Sequence, residues 1–353
     1  MDIESLNFLK KLLAQCGPSG FENAARRVWV QRTQKYADEV RTDVHGNAIA
    51  VLNPGADVRI MLAGHLDEIG FIVTHISDNG YLHVAAVGGI DRVTLPGSQV
   101  KVLAEKGTID GVIGKKAIHL ASPEERRKAV EIKDVWIDIG ARNRKDAEKH
   151  VKVGDYASYT PNFMMLKNDL FSSKSCDNKT GAFVASEVMK RLRRRKLSVS
   201  VYAVATAQEE IGIRGARTSA YGIDPQVGIA LDVGFASDTP GIDKRIVGDV
   251  ALGKGPILCS GPNINPVLGK RLVEVARKKK VPHQFTTDPG VTGTDAAALQ
   301  VTREGVATAL VSIPNRYMHT QVETCSLKDL DNTARLVAET ILTITPRTNF
   351  IPR

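Results

Sequence analysis

Apolar positions along the chain follow two spacings, one typical of helices and one typical of buried strands. Over the first thirteen residues, apolar side chains recur at helical spacing, which predicts an N-terminal helix that ends at the Gly/Pro break 16–20. The runs that predict strands are 39–42, 48–52, 58–63, 198–206, 227–231 and 306–313, and the segments that predict helices are 22–36, 180–192, 215–220, 270–280 and 326–342. This alternation predicts an α/β fold with a mostly parallel sheet that helices cover on both faces.

The middle of the chain, from about 71 to 159, has a different pattern of apolar residues. The β-like runs there are 71–76, 81–87, 99–104, 107–113 and 134–139. Gly and Asn turns separate these runs, which predicts a small β-rich, barrel-like unit. We therefore predict an α/β domain made of residues 1–70 and 161–353, interrupted by an inserted β-rich domain of residues 71–160.

Composition narrows the class of protein. Hydrophobic residues make up 42% of the 353 positions and charged residues 25%, as is usual for a soluble globular protein. We find no Arg-rich leader and no apolar stretch of membrane-spanning length. The four cysteines (Cys16, Cys176, Cys259 and Cys325) form no CxxC pair and indicate reduced thiols. These features favour a cytoplasmic protein without a membrane partner.

The net charge of +9 is concentrated partly in two basic runs, 190–196 and 277–280. Both runs lie at the C-terminal ends of predicted helices, where cations complement the helix dipole. Neither contains the interleaved aromatic residues that nucleic-acid binding uses. We interpret them as solvated helix ends and expect no nucleic-acid partner. The positive charge is compatible with acidic substrates but does not decide specificity.

The pair Glu209-Glu210 follows the predicted strand 198–206 and is the least ordinary feature of the chain. Two adjacent carboxylates that are ionised and desolvated repel each other, so one pKa must rise unless a cation holds them. A metal ion is one such cation. Adjacent residues on an extended segment point in opposite directions, so the two acids need not compete for one position.

Other candidate ligands follow the other predicted strands. These are His65 and Asp67 after 58–63, Asp232 after 227–231, and His319 after 306–313. Because ligands of open α/β sheets bind outside the carboxyl ends of the strands, we expect these side chains to meet. A further acid, Asp177, lies just before the predicted helix 180–192.

Imidazole and carboxylate groups together are the ligands expected for zinc, cobalt or manganese. Two histidines and three carboxylates are enough for two metals if one carboxylate bridges them, and such sites hydrolyse substrates by activating a shared water. The water needs a base that is not itself a ligand, and Glu209 and Glu210 can divide these tasks. Asp67, two residues after His65, is expected to orient the His65 ring.

Each of these residues also has a structural interpretation. His65 alone fits an ordinary loop histidine, and Asp67 alone fits a turn residue or a helix cap. Asp177 alone fits an N-cap residue of its helix as well as it fits a metal ligand. Position along the chain leaves these alternatives open.

Five motifs, taken in order, resemble a known family. They are Gly-His-Leu-Asp-Glu-Ile-Gly at 64–70, Cys-Asp-Asn-Lys-Thr-Gly at 176–181, Ala-Gln-Glu-Glu-Ile-Gly-Ile-Arg-Gly-Ala at 207–216, Leu-Asp-Val at 231–233 and Arg-Tyr-Met-His at 316–319. The series resembles the M42 family of dinuclear metallo-aminopeptidases, which includes the glutamyl aminopeptidases and the tetrahedral TET aminopeptidases. The resemblance covers nearly the whole chain.

The resemblance implies a role for each candidate residue. One metal ion would be held by His65, Asp177 and Asp232, and the other by Asp177, Glu210 and His319, so that Asp177 bridges the two. Glu209 would be the general base and later the proton donor to the leaving amine, and Asp67 would support His65. Two divalent ions per subunit are implied, with zinc as the expected metal and cobalt or manganese as alternatives.

The resemblance also implies an architecture and an assembly. The family fold is an α/β peptidase domain interrupted by a β-rich dimerisation domain, and many members assemble from dimers into a hollow tetrahedral dodecamer. We therefore expect a homo-oligomer that acts on peptides. One position departs from the family pattern, because Lys179 stands where Arg is frequent. Lysine keeps the charge but lacks the planar guanidinium fork, which leaves the neighbouring hydrogen bonds undetermined.

Two other functions compete with an aminopeptidase that acts on short peptides. A glycoside hydrolase of endoglucanase type needs two carboxylates and usually no metal, and the two histidines in the ligand set speak against it. A catalytically inactive assembly protein would not need the complete set of candidate residues that this chain retains.

Overall fold

The protein is described by a computed structural model that covers residues 1–352. The helices are α1 (Ile3–Leu13), α2 (Asn23–Thr33), α3 (Pro123–Arg127), α4 (Arg144–Ala147), α5 (Cys176–Leu192), α6 (Arg214–Ile223), α7 (Lys244–Val247), α8 (Pro266–Lys278), α9 (Asp295–Gln300) and α10 (Leu327–Ile341). The strands of the central sheet are β1 (Glu39–Thr42), β2 (Ala48–Leu52), β3 (Arg59–His65), β12 (Ser200–Thr206), β13 (Val227–Phe235), β14 (Ile257–Ser260), β15 (Gln284–Thr287) and β16 (Ala307–Asn315).

The central sheet has the strand order β1-β2-β12-β3-β13-β16-β14-β15. Its four middle strands, β12, β3, β13 and β16, are parallel, whereas β2 and β14 pair antiparallel to this group. The middle strands are rich in small and branched apolar residues and are buried along most of their length, as strands covered on both faces must be. The predicted fold class, a mostly parallel sheet within an α/β fold, is confirmed.

Alternate residues of each strand supply two cores, one on each face of the sheet. Leu62 and Ile229 belong to the larger core, which also contains Phe183 of α5. Ala63 and Ala230, one position further along each strand, belong to a smaller core packed under α6 and α9. The helices therefore cover both faces, as predicted.

The β-rich middle of the chain forms a closed antiparallel barrel. Its strands are β4 (Gly70–Ile76), β5 (Leu82–Val87), β6 (Gln99–Ala104), β7 (Gly107–Lys115), β8 (Val135–Asp138) and β9 (Tyr156–Tyr159), in the closed order β4-β5-β8-β7-β6-β9. The barrel has its own apolar core, which includes Phe71 and Val100. His65 ends β3 and Gly70 begins β4, so four residues connect the edge of the central sheet to the barrel.

The structure also contains elements that the sequence pattern does not predict. Strands β10 (Met164–Met165), β11 (Leu170–Ser173) and β17 (Glu323–Ser326) form a small second sheet. Each has at most four residues, too few to show a clear period. Helix α5 begins at Cys176 rather than near Thr180, although Asp177 itself has non-helical dihedral angles.

Two further properties bear on the expectations from composition. Within residues 1–352, no helix is both long and apolar enough to cross a bilayer. The four cysteines are all free thiols. The two basic runs span the C-terminal ends of α5 and α8, as predicted.

Candidate metal centre

The candidate residues meet at the carboxyl edge of the central sheet. His65 is the last residue of β3, and Asp232 lies within β13, which continues to Phe235 rather than ending before Asp232 as predicted. Glu209 and Glu210 lie in the turn after β12, and the other two candidate ligands lie at the start of α5 and in the loop after β16. Together these side chains line one end of a cavity of about 620 Å³.

Asp177 lies between the two histidines. Its Oδ1 is 3.1 Å from His65 Nε2, and its Oδ2 is 3.2 Å from His319 Nε2. It does not cap its helix, because Ser175 occupies the N-cap position and the side chain that accepts a hydrogen bond from the first turn is that of Asn178, whose Oδ1 accepts from Gly181 N at 2.9 Å. The N-cap interpretation is therefore wrong, and the metal-ligand interpretation stays a prediction.

The adjacent acids approach different histidines. Glu209 Oε2 is 3.7 Å from His65 Nε2, and Glu210 Oε2 is 3.5 Å from His319 Nε2. The prediction of an extended segment is wrong here, because the backbone turns tightly and the Glu209 carbonyl accepts hydrogen bonds from Gly212 N and Ile213 N. The turn, rather than strand alternation, separates the two carboxylates. Asp232 Oδ1 lies 3.9 Å from His65 Nε2.

Asp67 holds this turn in place. Its Oδ1 accepts a hydrogen bond from Glu209 N at 3.0 Å, and its Oδ2 accepts from Glu210 N at 3.1 Å and from Ser19 Oγ at 2.7 Å. The nearest partner of His65 Nδ1 is the carbonyl oxygen of Asp67, at 3.1 Å, and the carboxylate is slightly farther, at 3.4 Å. Asp67 thus contacts both His65 and the two acids, and the orienting role expected from the sequence stays a prediction.

Two contacts that sequence reasoning missed hold His319. Its Nδ1 is 2.5 Å from the carbonyl oxygen of Gly89, in the loop after barrel strand β5. Glu323 accepts hydrogen bonds from His319 N at 2.8 Å and from Asp177 N at 2.9 Å. Glu323 lies on the short strand β17, and its only signal in the sequence is a position four residues after His319.

The electrostatics of the centre show an excess of buried acid. Burial raises the pKa of Glu209 to about 8 and that of Glu210 to about 8, and it raises the pKa of Asp232 well above its usual range. Burial opposes ionisation of Asp177 as well, but hydrogen bonds with His319 and His65 hold its pKa well below the usual range. Burial therefore favours the neutral form of all three carboxyl groups.

The donor set fits divalent metal ions. One ligand atom each from His65, Asp177 and Glu210 lie within 4.8 Å of one another. Glu210 Oε1 is buried without a hydrogen-bond partner among the described residues, and such an atom is costly unless a ligand satisfies it. A cation would satisfy this oxygen and replace the protons on the raised carboxyl groups. Nitrogen and oxygen donors of this kind suit zinc, cobalt and manganese.

Lys179, the departure from the family pattern, is buried beside the centre. Its Nζ donates to Gln15 O at 2.7 Å, to Glu68 Oε2 at 2.8 Å and to Ser175 Oγ at 3.1 Å, which uses all three ammonium hydrogens. Glu68 also pairs with Lys174 Nζ at 2.6 Å. Burial lowers the pKa of Lys179 to about 8. All hydrogen-bond donors of the Lys179 ammonium group thus have acceptors, although lysine lacks a guanidinium fork.

The fold and the cluster of side chains at the edge of the central sheet indicate a class of protein, and a family model narrows this class to one family. A covered α/β sheet with an inserted barrel and a histidine–carboxylate cluster is the architecture that the resemblance to the M42 family implies for an α/β peptidase. More narrowly, the chain belongs to the M42 peptidase family, because residues 46–336 match the family model described as M42 glutamyl aminopeptidase.

Individual relatives agree with this assignment. A lysyl aminopeptidase of Pyrococcus furiosus is 39% identical over 98% of both chains. The structure of a TET aminopeptidase from a marine sediment archaeon of the Thaumarchaeota superimposes with a TM-score of 0.93, at 37% identity and 97% coverage of both chains. The TET1 peptidase of Pyrococcus horikoshii, which can assemble into a tetrahedron or a large octahedral shell, gives a TM-score of 0.87 at 32% identity, covering 96% of this chain and all of the other. These similarities support a peptidase function.

Proposed function

We propose that this protein is an aminopeptidase that removes N-terminal residues from short peptides at a centre of two divalent metal ions, with Glu209 as the general base. The observation that carries the proposal is the position of Asp177. Its two carboxylate oxygens each face the Nε2 atom of a different histidine, His65 and His319. A carboxylate in this position is suited to bridge two cations.

The ligands divide into two sets around this carboxylate. His65, Asp177 and Asp232 would hold one ion, and Asp177, Glu210 and His319 would hold the other. When bound, the two ions polarise the scissile carbonyl and acidify a water molecule. Zinc is the metal we propose, with cobalt and manganese as alternatives, because all three accept this mixture of imidazole and carboxylate.

Glu209 is the acid beside the centre that this assignment leaves without a metal. Its carboxylate lies 3.7 Å from His65 Nε2, and its backbone N–H is fixed by Asp67. Burial raises its pKa, which makes the ionised carboxylate a stronger base towards an incoming proton. We assign it to take a proton from the attacking water and to deliver that proton to the leaving amine.

We further propose that the chain acts as a homo-oligomer in the cytoplasm. The TET1 peptidase of Pyrococcus horikoshii, which shares this fold, can form a tetrahedron or an octahedral shell. The barrel, which has its own apolar core, is the element to which we assign dimerisation, and a dodecamer built from dimers is the expected assembly. Peptides are the expected substrates.

Hydrolysis of aminoacyl-p-nitroanilides, with and without added zinc, cobalt or manganese, tests the proposal. We expect turnover that chelation abolishes and added metal restores, and none with the matched N-acetylated substrates. Full activity after exhaustive chelation, or chelator-resistant cleavage of a β-glucan, would contradict it. The second of those results would favour the glycoside hydrolase instead.

A further inference from the structure

The cavity does not end at the candidate metal centre but extends along the face of the sheet towards β15. The strand registers place Asp232 beside Ser312 and Ser312 beside Ile257, so these side chains share one face. Two residues beyond Ile257, Cys259 pairs with Thr286 on the same face. All five residues line the cavity. They form the floor of a side pocket that runs away from the metal centre.

The walls of this side pocket are mainly apolar. Ile213, Val247 and Leu310 line it. At its mouth, Phe235 is 62% exposed and Ile246 is 81% exposed. Exposed apolar side chains around a concave site favour contact with the apolar part of a ligand. The walls therefore suit the hydrocarbon stem of a long side chain.

The charge of the side pocket has one sign. Away from the metal centre, Asp288 is the only charged residue among the described residues that line the cavity, and no Lys or Arg lines it. Asp288 comes directly after β15, and its Oδ1 accepts a hydrogen bond from Gly290 N at 2.9 Å. Across residues 1–352, no cationic side chain forms an ion pair with Asp288. Neither basic run, 190–196 or 277–280, contributes a residue to this pocket.

We propose that this side pocket binds the side chain of the substrate's N-terminal residue, and that Asp288 makes the enzyme selective for lysine and arginine at that position. This inference rests on the proposed aminopeptidase function. Strand β15 lies three strand spacings from β13, or about 14 Å, so only a long side chain extends from the metal centre towards Asp288. The apolar walls contact its stem, and the carboxylate pairs with its charged end.

An acidic N-terminal side chain would find no partner in this pocket. It would lose hydration and meet only another carboxylate, which is costly. A neutral aliphatic side chain would gain apolar contact but would leave Asp288 without a partner. The expected order of kcat/KM is therefore lysine and arginine first, norleucine and leucine next, and glutamate last.

The test compares lysyl and norleucyl p-nitroanilides, because norleucine has the same four-carbon stem as lysine without the ammonium group. We expect the wild-type enzyme to prefer lysine by about tenfold or more, the usual worth of a hydrogen bond to a charged group. In Asp288→Asn, which retains an oxygen for Gly290 N, this preference should fall by a similar factor. Asp288→Glu, which keeps the charge, should retain part of it.

A matched control removes an acid elsewhere on the surface. Glu304 lies outside the cavity. Glu304→Gln should therefore leave the ratio of kcat/KM for lysine to kcat/KM for norleucine unchanged. A calorimetric titration gives a readout that does not depend on turnover. Free L-lysine should bind the wild type more tightly than free L-norleucine does, and this difference in affinity should shrink in Asp288→Asn.

The outcomes separate this inference from the function on which it rests. Equal kcat/KM for lysine and norleucine, a preference for glutamate, or an unchanged ratio in Asp288→Asn would overturn the pocket assignment while leaving an aminopeptidase. Failure of the metal-loaded wild type to hydrolyse any aminoacyl substrate would overturn the proposed function itself.

Discussion

Asp67 shows how one side chain can fix the positions of several others at the candidate centre. It is fully buried, and its two oxygens accept three hydrogen bonds, two of them from the backbone N–H groups of Glu209 and Glu210. Hydrogen bonds with His65 outweigh the effect of burial and lower the pKa of Asp67. An ionised carboxylate here keeps both acids aimed into the site.

We expect Asp67→Asn to disturb the centre without unfolding the protein. An amide places an NH₂ group where the carboxylate accepts hydrogen bonds, so at least one N–H of the Glu209-Glu210 turn loses its partner. Mutation of a residue that orients a metal ligand typically lowers metal affinity or activity by about 10–100-fold. Calorimetry of metal binding checks the loss of affinity, and the melting temperature of the variant checks that it stays folded. Metal affinity equal to that of the wild type would contradict the orienting role of Asp67.

The residues of the site differ in how far the sequence predicts them. His65, Asp232 and the two adjacent acids follow long apolar strands, and the rule that ligands collect at the carboxyl ends of strands brings them together. Glu323 and the carbonyl of Gly89 could not be predicted in this way. Each acts through a contact between segments distant in the chain, and no local pattern records such a contact.

At the scale of elements, the barrel reaches into the site through one loop. The loop after β5 places the Gly89 carbonyl against His319 Nδ1, and the Gly88 position faces Glu210. A methyl group at Gly88 would lie 2.9 Å from Ile69 Cγ2, and one at Gly89 would lie 3.2 Å from His319 Nδ1. The absence of side chains lets the barrel approach two candidate ligands closely.

Substitution of Gly89 by Ala should therefore weaken one side of the metal centre. The added methyl group pushes against the His319 ring, and we expect affinity for the ion that we propose His319 holds to fall about tenfold or more. Calorimetric titration of the metal-free protein measures this. Gly222→Ala is the control, since its methyl group would contact nothing within 4 Å. Equal metal affinity in the two variants would contradict the role of the loop.

The long strands of the central sheet were the easiest elements to predict, although the four-residue strand β1 was also predicted. The middle strands β3, β12, β13 and β16 have seven to nine residues, and their apolar runs are plain in the sequence. The two to four residues of β10, β11 and β17 are too few to show a period. Their pairing depends on tertiary contacts, which override weak local preference.

At the scale of the whole molecule, a buried ionic cluster joins three parts of the chain. Glu68 follows the central sheet, and it accepts hydrogen bonds from Gly17 N near the N-terminus and from Ser158 Oγ of barrel strand β9. Lys174 and Lys179 supply its two cations. Although burial alone would raise the pKa of Glu68, these two ammonium groups hold it well below the usual range.

We expect Glu68→Gln to lower the free energy of unfolding by about 3–5 kcal/mol, because it leaves two buried ammonium groups without a counter-charge. Since the folded pKa of Glu68 is depressed, its stabilisation is fully present above its unfolded pKa and is lost as the pH falls through the folded value. The difference between wild type and variant in urea unfolding should therefore shrink on acidification.

The control for this cluster is an exposed ion pair of the barrel. Glu105 pairs with Lys152 at 3.0 Å on the surface, where solvent screens the interaction. Glu105→Gln should change the unfolding curve little. If Glu68→Gln were as mild as Glu105→Gln, the cluster would not be the link between the three parts of the chain.

The overall architecture was the most predictable level. The change from βα alternation to short β-runs marked the inserted barrel, and the two apolar faces of the strands indicated cover on both sides. The sequence did not indicate how closely the barrel approaches the site, because that depends on two glycines whose role appears only when the sheet and the barrel are placed side by side.

The central claim is that adjacent acids have different tasks, and metal content measured together with kcat in two variants tests it most directly. Glu209→Gln should retain both metal ions while kcat falls on the order of 10²- to 10⁴-fold, the usual contribution of a general base. Glu210→Gln should lose metal. Near-normal kcat in Glu209→Gln, or full metal content in Glu210→Gln, would contradict the account.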